Sequence, residues 1–483
     1  MSQGLNYIGG RWRPSRRGRT FEQHNPADLA EVTGTYQDSA VEDVRDAVGA
    51  AQGAFPGWRK TPPADRARCL RRALDSMEAR IEDIALRITV ENGKTLDESR
   101  AEIRSAVAEM DFQIGEGLRL YGKTVPSARK GVFAYSIRRP LGVVSVITPW
   151  NFPWNVPARK CTPALMAGNT VAFKPASLTP GVGRLFAELF EEAALPAGVL
   201  NFVTGSGGTV GGEMVENPAV KAASFTGSTS VGRRIQESAA RTLARTQLEM
   251  GGKNAAVVLA DADLESAVED CFRAAFACAG QWCTSTSRAI VERPVYEDFV
   301  EALVERARSL RVGDGRDEST DMGPVCGEKQ MENILAYVEN GIKAGAVVSC
   351  GGGRVTGDGL DRGCFVAPTV FTEVTPSMTI AREEIFGPVL CVMCVESLDE
   401  AIALANDVAY GLSSSIYTRD VSAALRFVEE TEVGLAHVNV MTAYKEPSMS
   451  FGGIKDSGAG LHEAGQTGIQ FFTDEKVVYI RYE

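Results

Sequence analysis

From Val143 to Ser177 the sequence reads VVSVITPWNFPWNVPARKCTPALMAGNTVAFKPAS, and the alternation in this stretch decides the fold class. VVSVITP is a short, uninterrupted β-rich run, ARKCTPALMAG has the composition of a helix, and NTVAFKP is a second β-rich run. The rhythm continues with helical VGRLFAELFEEAAL, strand VLNFV, a helix opening after GSGG, strand KAASF and a helix from SVGRRIQESAA. Short apolar strands alternating with helices predict a parallel sheet covered on both faces. Such sheets bind ligands beyond the carboxyl ends of their strands.

Outward from this block, Val41 to about Gly122 is helical. VEDVRDAVGAAQGAF is one segment, PPADRARCLRRALDSMEARIEDIALRITVENG a longer one opening on prolines, and LDESRAEIRSAVAEMDFQIGEGLRLYG a third. GVFAYSIRRPLG alternates polar and apolar residues, as exposed antiparallel strands do. A second α/β stretch runs from Asn254 to about Asn439 and forms a second domain with its own core. The tail FFTDEKVVYIRYE is strand-like, and an exposed edge of this kind points to a subunit contact. At the other end, Gly9-Gly10 between YI and RWR reads as a hairpin turn of the mature fold. The nearby arginines do not form an organelle transit peptide on this reading, and no apolar signal core is present.

The 483 residues allow two to four domains at roughly 150 residues each. A hydrophobic fraction of 44% and a charged fraction of 23% are those of an ordinary globular protein. Fifty-one Lys+Arg against 62 Asp+Glu give a net charge of −11 with no dense basic stripe, which argues against nucleic acid as a partner. The longest apolar stretch, Leu141 to Trp154, is broken by Pro149, Asn151 and Pro153, so no membrane span is expected. Ten scattered cysteines suit a reducing cytoplasm. Cys391-x-x-Cys394 has a metal-like spacing but lies in the apolar run VLCVMCV, with no second pair or nearby His. A buried strand is the expectation there, and no metal is assigned.

Only three histidines occur, His24, His437 and His462, none beside a plausible nucleophile, so a Ser-His or Cys-His hydrolase is disfavoured. GQWCTSTSR, Gly280 to Arg288, places Cys283 among small polar residues, although a free Cys is more often a small core hydrophobe. LEMGGKN puts Glu249 at a strand end before Gly251-Gly252, where it reads equally as a general base or a salt-bridged carboxylate. In TPWNFPW, Asn151 follows a parallel strand and offers a neutral amide donor for an oxyanion, or is simply a loop residue. FTGSTSVGRR misses the phosphate-loop pattern because Arg233 follows Gly232 where Lys-Ser/Thr is needed. It still sets Ser228 and backbone N–H groups at a helix start, a seat for a pyrophosphate. No GxGxxG occurs.

TPWNFPW, FKPAS, FTGSTSVG, LEMGGKN, GQWCTSTSR, EEIFGPV, ANDVAYGL and SFGGIKDSGAG stand in the order and spacing of the aldehyde dehydrogenase superfamily. The chain resembles that family from YIGGRW to its last strand. The resemblance implies an α/β fold with two parallel-sheet, Rossmann-like domains plus a β oligomerisation flap. Residues 1–119 and 141–252 would form the NAD(P)-binding domain, 253–440 the catalytic domain, and 120–140 with 466–483 the oligomerisation strands of a homodimer or homotetramer. Residues 441–465 would return between them.

Carried over motif by motif, Cys283 is the nucleophile, Glu249 the general base and Asn151 the oxyanion donor. The cofactor, NADP or NAD, would contact Thr148, Pro149, Trp150, Lys174, Ala176, Ser177, Gly207, Phe225, Thr226, Gly227, Ser228, Val231, Met250, Gly251, Glu384 and Phe386. Lys174 would reach the adenosine ribose, Ser228 the pyrophosphate and Glu384 the nicotinamide ribose. Ser177 stands where strictly NAD-using relatives commonly have Glu, so use of both cofactors is expected. Trp154 and Trp282 would wall the substrate tunnel. Arg159 matches a position where semialdehyde-acid dehydrogenases hold the substrate's distal carboxylate, whereas a second arginine often found six residues before the nucleophile is Ala277 here, so Arg159 reads equally as one half of an ordinary loop or helix ion pair. The flanking GKTVPS and RRPLGVVSVITPWNFP most resemble 2-oxoglutarate and succinate semialdehyde dehydrogenases, which implies a short aldehyde with an anionic far end. Alternatives are a CoA-acylating enzyme, which would not need Glu249, a neutral aliphatic or aromatic aldehyde as substrate, and a structural relative without catalysis.

Overall fold

The computed structural model describes residues 3–483. The alternation beginning at Val143 builds an eight-stranded sheet whose central strands are parallel. Across the sheet they run Arg245–Glu249, Val220–Thr226, Val143–Ile147, Thr170–Lys174 and Leu200–Phe202. Val143–Ile147 and Thr170–Lys174 are buried along their whole length, which explains their mostly apolar, β-rich composition. The chain leaves Val143–Ile147 toward one edge and returns on the other side with Val220–Thr226. The crevice beyond Ile147 and Thr226 is therefore a topological switch point.

The hairpin Asn6–Ile8 and Arg11–Arg13 extends this sheet past Leu200–Phe202. Its turn residues Gly9 (φ +61°) and Gly10 (φ +78°) are both left-handed, as a two-residue hairpin loop requires. The long helical segment expected from Pro62 to Gly93 is two helices, Pro63–Ala79 and Ile81–Asn92, broken at Arg80 (φ −116°, ψ 23°). No Gly or Pro marks that break, and the apolar periodicity passes across it. The helix Leu96–Gly117 opens on a capping box in which Thr95 and Glu98 satisfy each other's backbone N–H.

The second sheet has the order Val347–Cys350, Thr369–Thr372, Val389–Val395, Thr286–Glu292, Asn254–Val258, Ser413–Tyr417, Leu435–Val438, parallel except at its first strand. Cys391 is buried within Val389–Val395. Among the described residues there is no cluster of metal-ligating side chains, and no helix is long and apolar enough to cross a membrane.

Thr473–Arg481 pairs antiparallel with Val132–Pro140, and Thr124–Val125 completes a ribbon that leaves Phe133, Ile137, Val477, Tyr479 and Ile480 exposed. The residues just before it depart from the expected strand. Gly465–Phe471 is helical, with Ile469, Phe471 and Phe472 buried in the first core, and Gln113 Nε2 donates to Gly465 O at 2.8 Å. Apolar residues at 469, 471 and 472 suit either reading, and packing against Leu96–Gly117 selects the helix. Residues 441–465 run back from the second sheet to the first, where Gly458–Ala459 pairs antiparallel with Arg245–Glu249. That return brings Lys445, Phe451 and Glu463 to a cavity that Thr226 and Glu249 also line.

Candidate active site

Cys283 follows the helix Leu264–Phe276 and a tight turn, Ala277–Gly280. In that turn Cys278 (φ +53°), Ala279 (φ +52°) and Gly280 (φ +67°) are all left-handed. For the two non-glycine residues this costs about 1–2 kcal/mol each, so neighbouring bonds must hold it. Cys278 N–H donates to Glu98 Oε1 at 2.6 Å, and Cys326 N–H donates to Gln281 Oε1 at 2.8 Å. Asn254 Nδ2 donates to the carbonyls of Cys283 and Ser285, both at 2.8 Å. The result is a fixed, half-buried thiol on a cavity wall. Burial pushes the Cys283 thiol up to about 12, with Arg159 pulling the other way.

Asn151 arrives from the loop after Val143–Ile147, and its Nδ2 donates to Gln281 O at 3.0 Å. Glu249 ends the strand Arg245–Glu249 in register with Thr226. Its Oε2 accepts from Gly453 N–H at 3.3 Å. Burial, and then the nearby Glu463 carboxylate, push Glu249 well above the usual carboxylate range. Asn151, Glu249 and Cys283, distant in sequence, line one cavity of about 240 Å³. Phe152 and Trp282, ring centroids 5.3 Å apart, form an apolar wall of it.

Of the cofactor residues read from the sequence, Pro149, Trp150, Thr226, Gly227, Ser228, Met250, Gly251, Glu384 and Phe386 line the same cavity. Glu384 accepts from Gly252 N–H at 3.1 Å, and burial pushes it up to about 7. A Cβ on Gly251 would lie 2.0 Å from Glu384 Oε2, so a larger residue there would require the Glu384 carboxylate to move. Phe386 sits in the left-handed region (φ +57°) edge-on to Trp150, with centroids 5.4 Å apart.

The other named residues lie outside that cavity, around the strand ends. Thr148 N–H donates to Lys174 O at 3.1 Å, and Lys174 Nζ donates to Pro175 O at 2.9 Å. Burial pushes Lys174 down to about 8. Ala176 and Ser177 are half-buried, Ser177 Oγ donating to Gly205 O at 3.1 Å, and Gly207 is exposed. Phe225 and Val231 belong to the apolar layer beneath.

A dinucleotide fits this surface. Thr148 Oγ1 and Thr226 Oγ1 are buried at adjacent strand ends with no hydrogen-bond partner among the described residues. Ser228 precedes the helix Thr229–Ala240 with its hydroxyl exposed and its backbone at a helix N-terminus. Gly207 and Gly208 have nothing within 4 Å of a would-be Cβ, leaving room for a ligand ring.

Two substrate assignments need correction. Trp154 does not wall the tunnel: it is fully buried in the first core against Phe186, with centroids 5.6 Å apart. Its position at the start of the helix Asn155–Met166 turns it inward, with its backbone N–H donating to Glu102 Oε1 at 2.8 Å. Arg159 does line the cavity, but its guanidinium is already engaged. It donates twice to Glu109 (2.7 and 2.8 Å), once to Glu463 (2.9 Å) and once to Asn155 Oδ1 (2.8 Å). A free arginine awaiting a carboxylate is not what the fold presents.

Sequence reading missed Glu109, Lys445, Phe451, Glu463 and Gln330. Glu102 and Glu109, seven residues apart on the buried face of Leu96–Gly117, are a signal that was available. Lys445, Phe451 and Glu463 lie in the irregular returning segment, where no periodicity announces them.

The chain matches the aldehyde dehydrogenase family over residues 12–478. It is 43% identical over 477 residues to the alpha-ketoglutaric semialdehyde dehydrogenase of Bacillus subtilis, covering 99% of this chain and 98% of that one. It is 41% identical over 465 residues to the 2,5-dioxopentanoate dehydrogenase of Saccharolobus solfataricus, covering 96% of each. The NAD+ complex structure of aldehyde dehydrogenase from Bacillus cereus superposes with a TM-score of 0.96 at 35% identity, covering 100% of this chain and 97% of that one. The chain belongs to the aldehyde dehydrogenase family. It is an oxidoreductase that acts on aldehydes with a nicotinamide cofactor.

Proposed function

We propose that this enzyme oxidises a short aldehyde with an anionic far end to the carboxylate, through a thioester on Cys283, using NADP as well as NAD. The observation that carries the mechanism is the convergence of Cys283, Asn151 and Glu249 on one cavity. Cys283 Sγ, its proton passed to water, attacks the aldehyde carbon, and the carbonyl π pair moves onto the oxygen. Asn151 Nδ2 has a second N–H beyond the one given to Gln281, and it donates to the oxyanion that develops. The nicotinamide, when bound, supplies the acceptor for the departing hydride. Glu249 then takes a proton from the water that cleaves the thioester. A carboxyl raised toward neutrality suits that role better than one of ordinary acidity. A CoA-acylating route would leave Glu249 without a task.

Thr148, Lys174, Thr226, Ser228 and Glu384 are the polar side chains that would hold the cofactor. Ser177 supports the use of NADP, since a carboxylate there would repel a 2′-phosphate. The names of the Bacillus and Saccharolobus relatives support a substrate with an acidic far end. The apolar ribbon of Val132–Pro140 and Thr473–Arg481 supports assembly as a homodimer or homotetramer. An aldehyde panel run with each cofactor, read as nicotinamide reduction, tests the substrate and cofactor readings together. Preference for propanal or benzaldehyde over succinate semialdehyde would remove the acidic substrate.

A further inference from the structure

Five ionisable groups alternate in a single line of contacts, of which Lys445, Arg159 and Glu463 line the cavity and Glu109 and Lys160 lie buried behind it. Lys445 Nζ lies 2.5 Å from Glu109, Glu109 2.7 Å from Arg159, Arg159 2.9 Å from Glu463, and Glu463 2.7 Å from Lys160. Three cations face two carboxylates, so the line carries one positive charge in excess. Glu249, the next carboxylate, forms no salt bridge among the described residues, and burial and the Glu463 carboxylate raise its pKa.

The excess charge can be located. Arg159 uses four of its five donors, is 5% exposed at its side chain, and has the Phe451 ring over it at 4.6 Å. Lys160 is fully buried between Glu463 and Ser224 Oγ, the latter at 3.0 Å. Lys445, at the open end, spends two of its three ammonium hydrogens, on Glu109 and on Asn155 Oδ1 at 3.1 Å. Its side chain is 25% exposed and lines the cavity that holds Cys283. Glu109, already met by two donors of Arg159, does not need a second cation. An ammonium largely removed from water with an unused donor is costly unless an anion joins it. Burial and repulsion by Arg159 push Lys445 down, a cost that a bound anion would offset.

We infer that Lys445 is the specificity-determining residue that binds the anionic far end of the aldehyde, while Arg159 acts as a positioning residue that holds Glu109 and Glu463 in place. This rests on the acidic-substrate reading above. Lys445 supplies one charge-assisted hydrogen bond to a carboxylate oxygen, and a neutral aldehyde has no group for it.

The test is steady-state kinetics of wild type, Lys445→Met and Lys445→Arg with succinate semialdehyde and propanal. The expected result is a wild-type preference for the acidic aldehyde. Its kcat/KM ratio over propanal falls about tenfold or more in Lys445→Met, carried by KM, and is largely kept by Lys445→Arg. A wild type that prefers the acid with a ratio unchanged in Lys445→Met overturns the inference and leaves the substrate reading standing. A wild type that prefers propanal removes both. A measurement on the wild type alone guards against a misfolded variant: glutarate should slow iodoacetamide alkylation of Cys283, and 1,5-pentanediol should not. Equal protection by the two compounds, or none by glutarate, overturns the inference.

Discussion

Asn151 Nδ2 donates to the carbonyl oxygen of Gln281 at 3.0 Å, two residues before Cys283. This bond ties the loop that leaves the first sheet to the loop that carries the nucleophile. It also fixes the amide plane, so that the remaining N–H is held ready before any substrate arrives. Asn151→Ala should therefore lower kcat by about 10²–10³ while moving KM much less. An effect confined to KM would place Asn151 in substrate binding and outside the oxyanion contact.

Arg159 joins Glu109 and Glu463 inside the protein; burial pushes Glu109 up, but the charges of Arg159 and Lys445 outweigh it and hold Glu109 down at about 2. Removing one partner of a buried pair leaves an uncompensated charge, at a cost of about 3–5 kcal/mol. Arg159→Leu should destabilise the protein by that order and depress turnover of acidic and neutral aldehydes alike. Urea unfolding read by tryptophan fluorescence checks the first part. A normally stable Arg159→Leu enzyme with a raised KM for the acidic aldehyde alone would restore the arginine as the anion receptor.

Burial holds the Cys283 thiol up at about 12 in the cofactor-free protein. A raised thiol pKa means the neutral form dominates at physiological pH, and thiolate content grows about tenfold per pH unit below that value. Alkylation of cofactor-free enzyme by iodoacetamide should accordingly be slow at pH 7 and rise with a slope near one in log rate through pH 9. A plateau between pH 7 and 8 would mean that the thiolate is already formed without cofactor.

Ser177 Oγ rests on Gly205 O beside the glycine turn that starts at Gly207. Two unit charges at about 4 Å interact by about 4 kcal/mol at an effective dielectric near 20. Ser177→Glu should thus shift preference sharply toward NAD, seen as the ratio of kcat/KM for the two cofactors. Negligible NADP activity in the wild type would remove the argument.

The parallel sheets were legible because strands buried on both faces are mostly apolar, and short β-rich runs such as VVSVI and TVAFK recur between helical segments. The Gly9-Gly10 hairpin was legible because its turn needs two left-handed residues. The break at Arg80 was not, since ordinary residues adopt its geometry without a composition signal. Cys283, Glu249 and Asn151 were legible as motifs, yet only the fold brings them to one cavity. Arg159 shows where motif reading stops: its neighbours Glu109 and Glu463 come from positions 50 residues before it and 304 after it. Whether a charge is free or paired is a property of that distant packing. Trp154 failed for a related reason, because one turn of helix separates a cavity wall from a core.

The division of labour between Cys283 and Glu249 is the centre of this account, and pre-steady-state reduction of the nicotinamide tests it most directly. Glu249→Gln should give an early burst of reduced cofactor approaching one equivalent per active site, followed by a very slow steady state, because acylation proceeds and hydrolysis lacks its base. Cys283→Ala should give neither burst nor turnover. Wild-type steady-state turnover by Glu249→Gln, or reduction of cofactor by Cys283→Ala, would contradict the account.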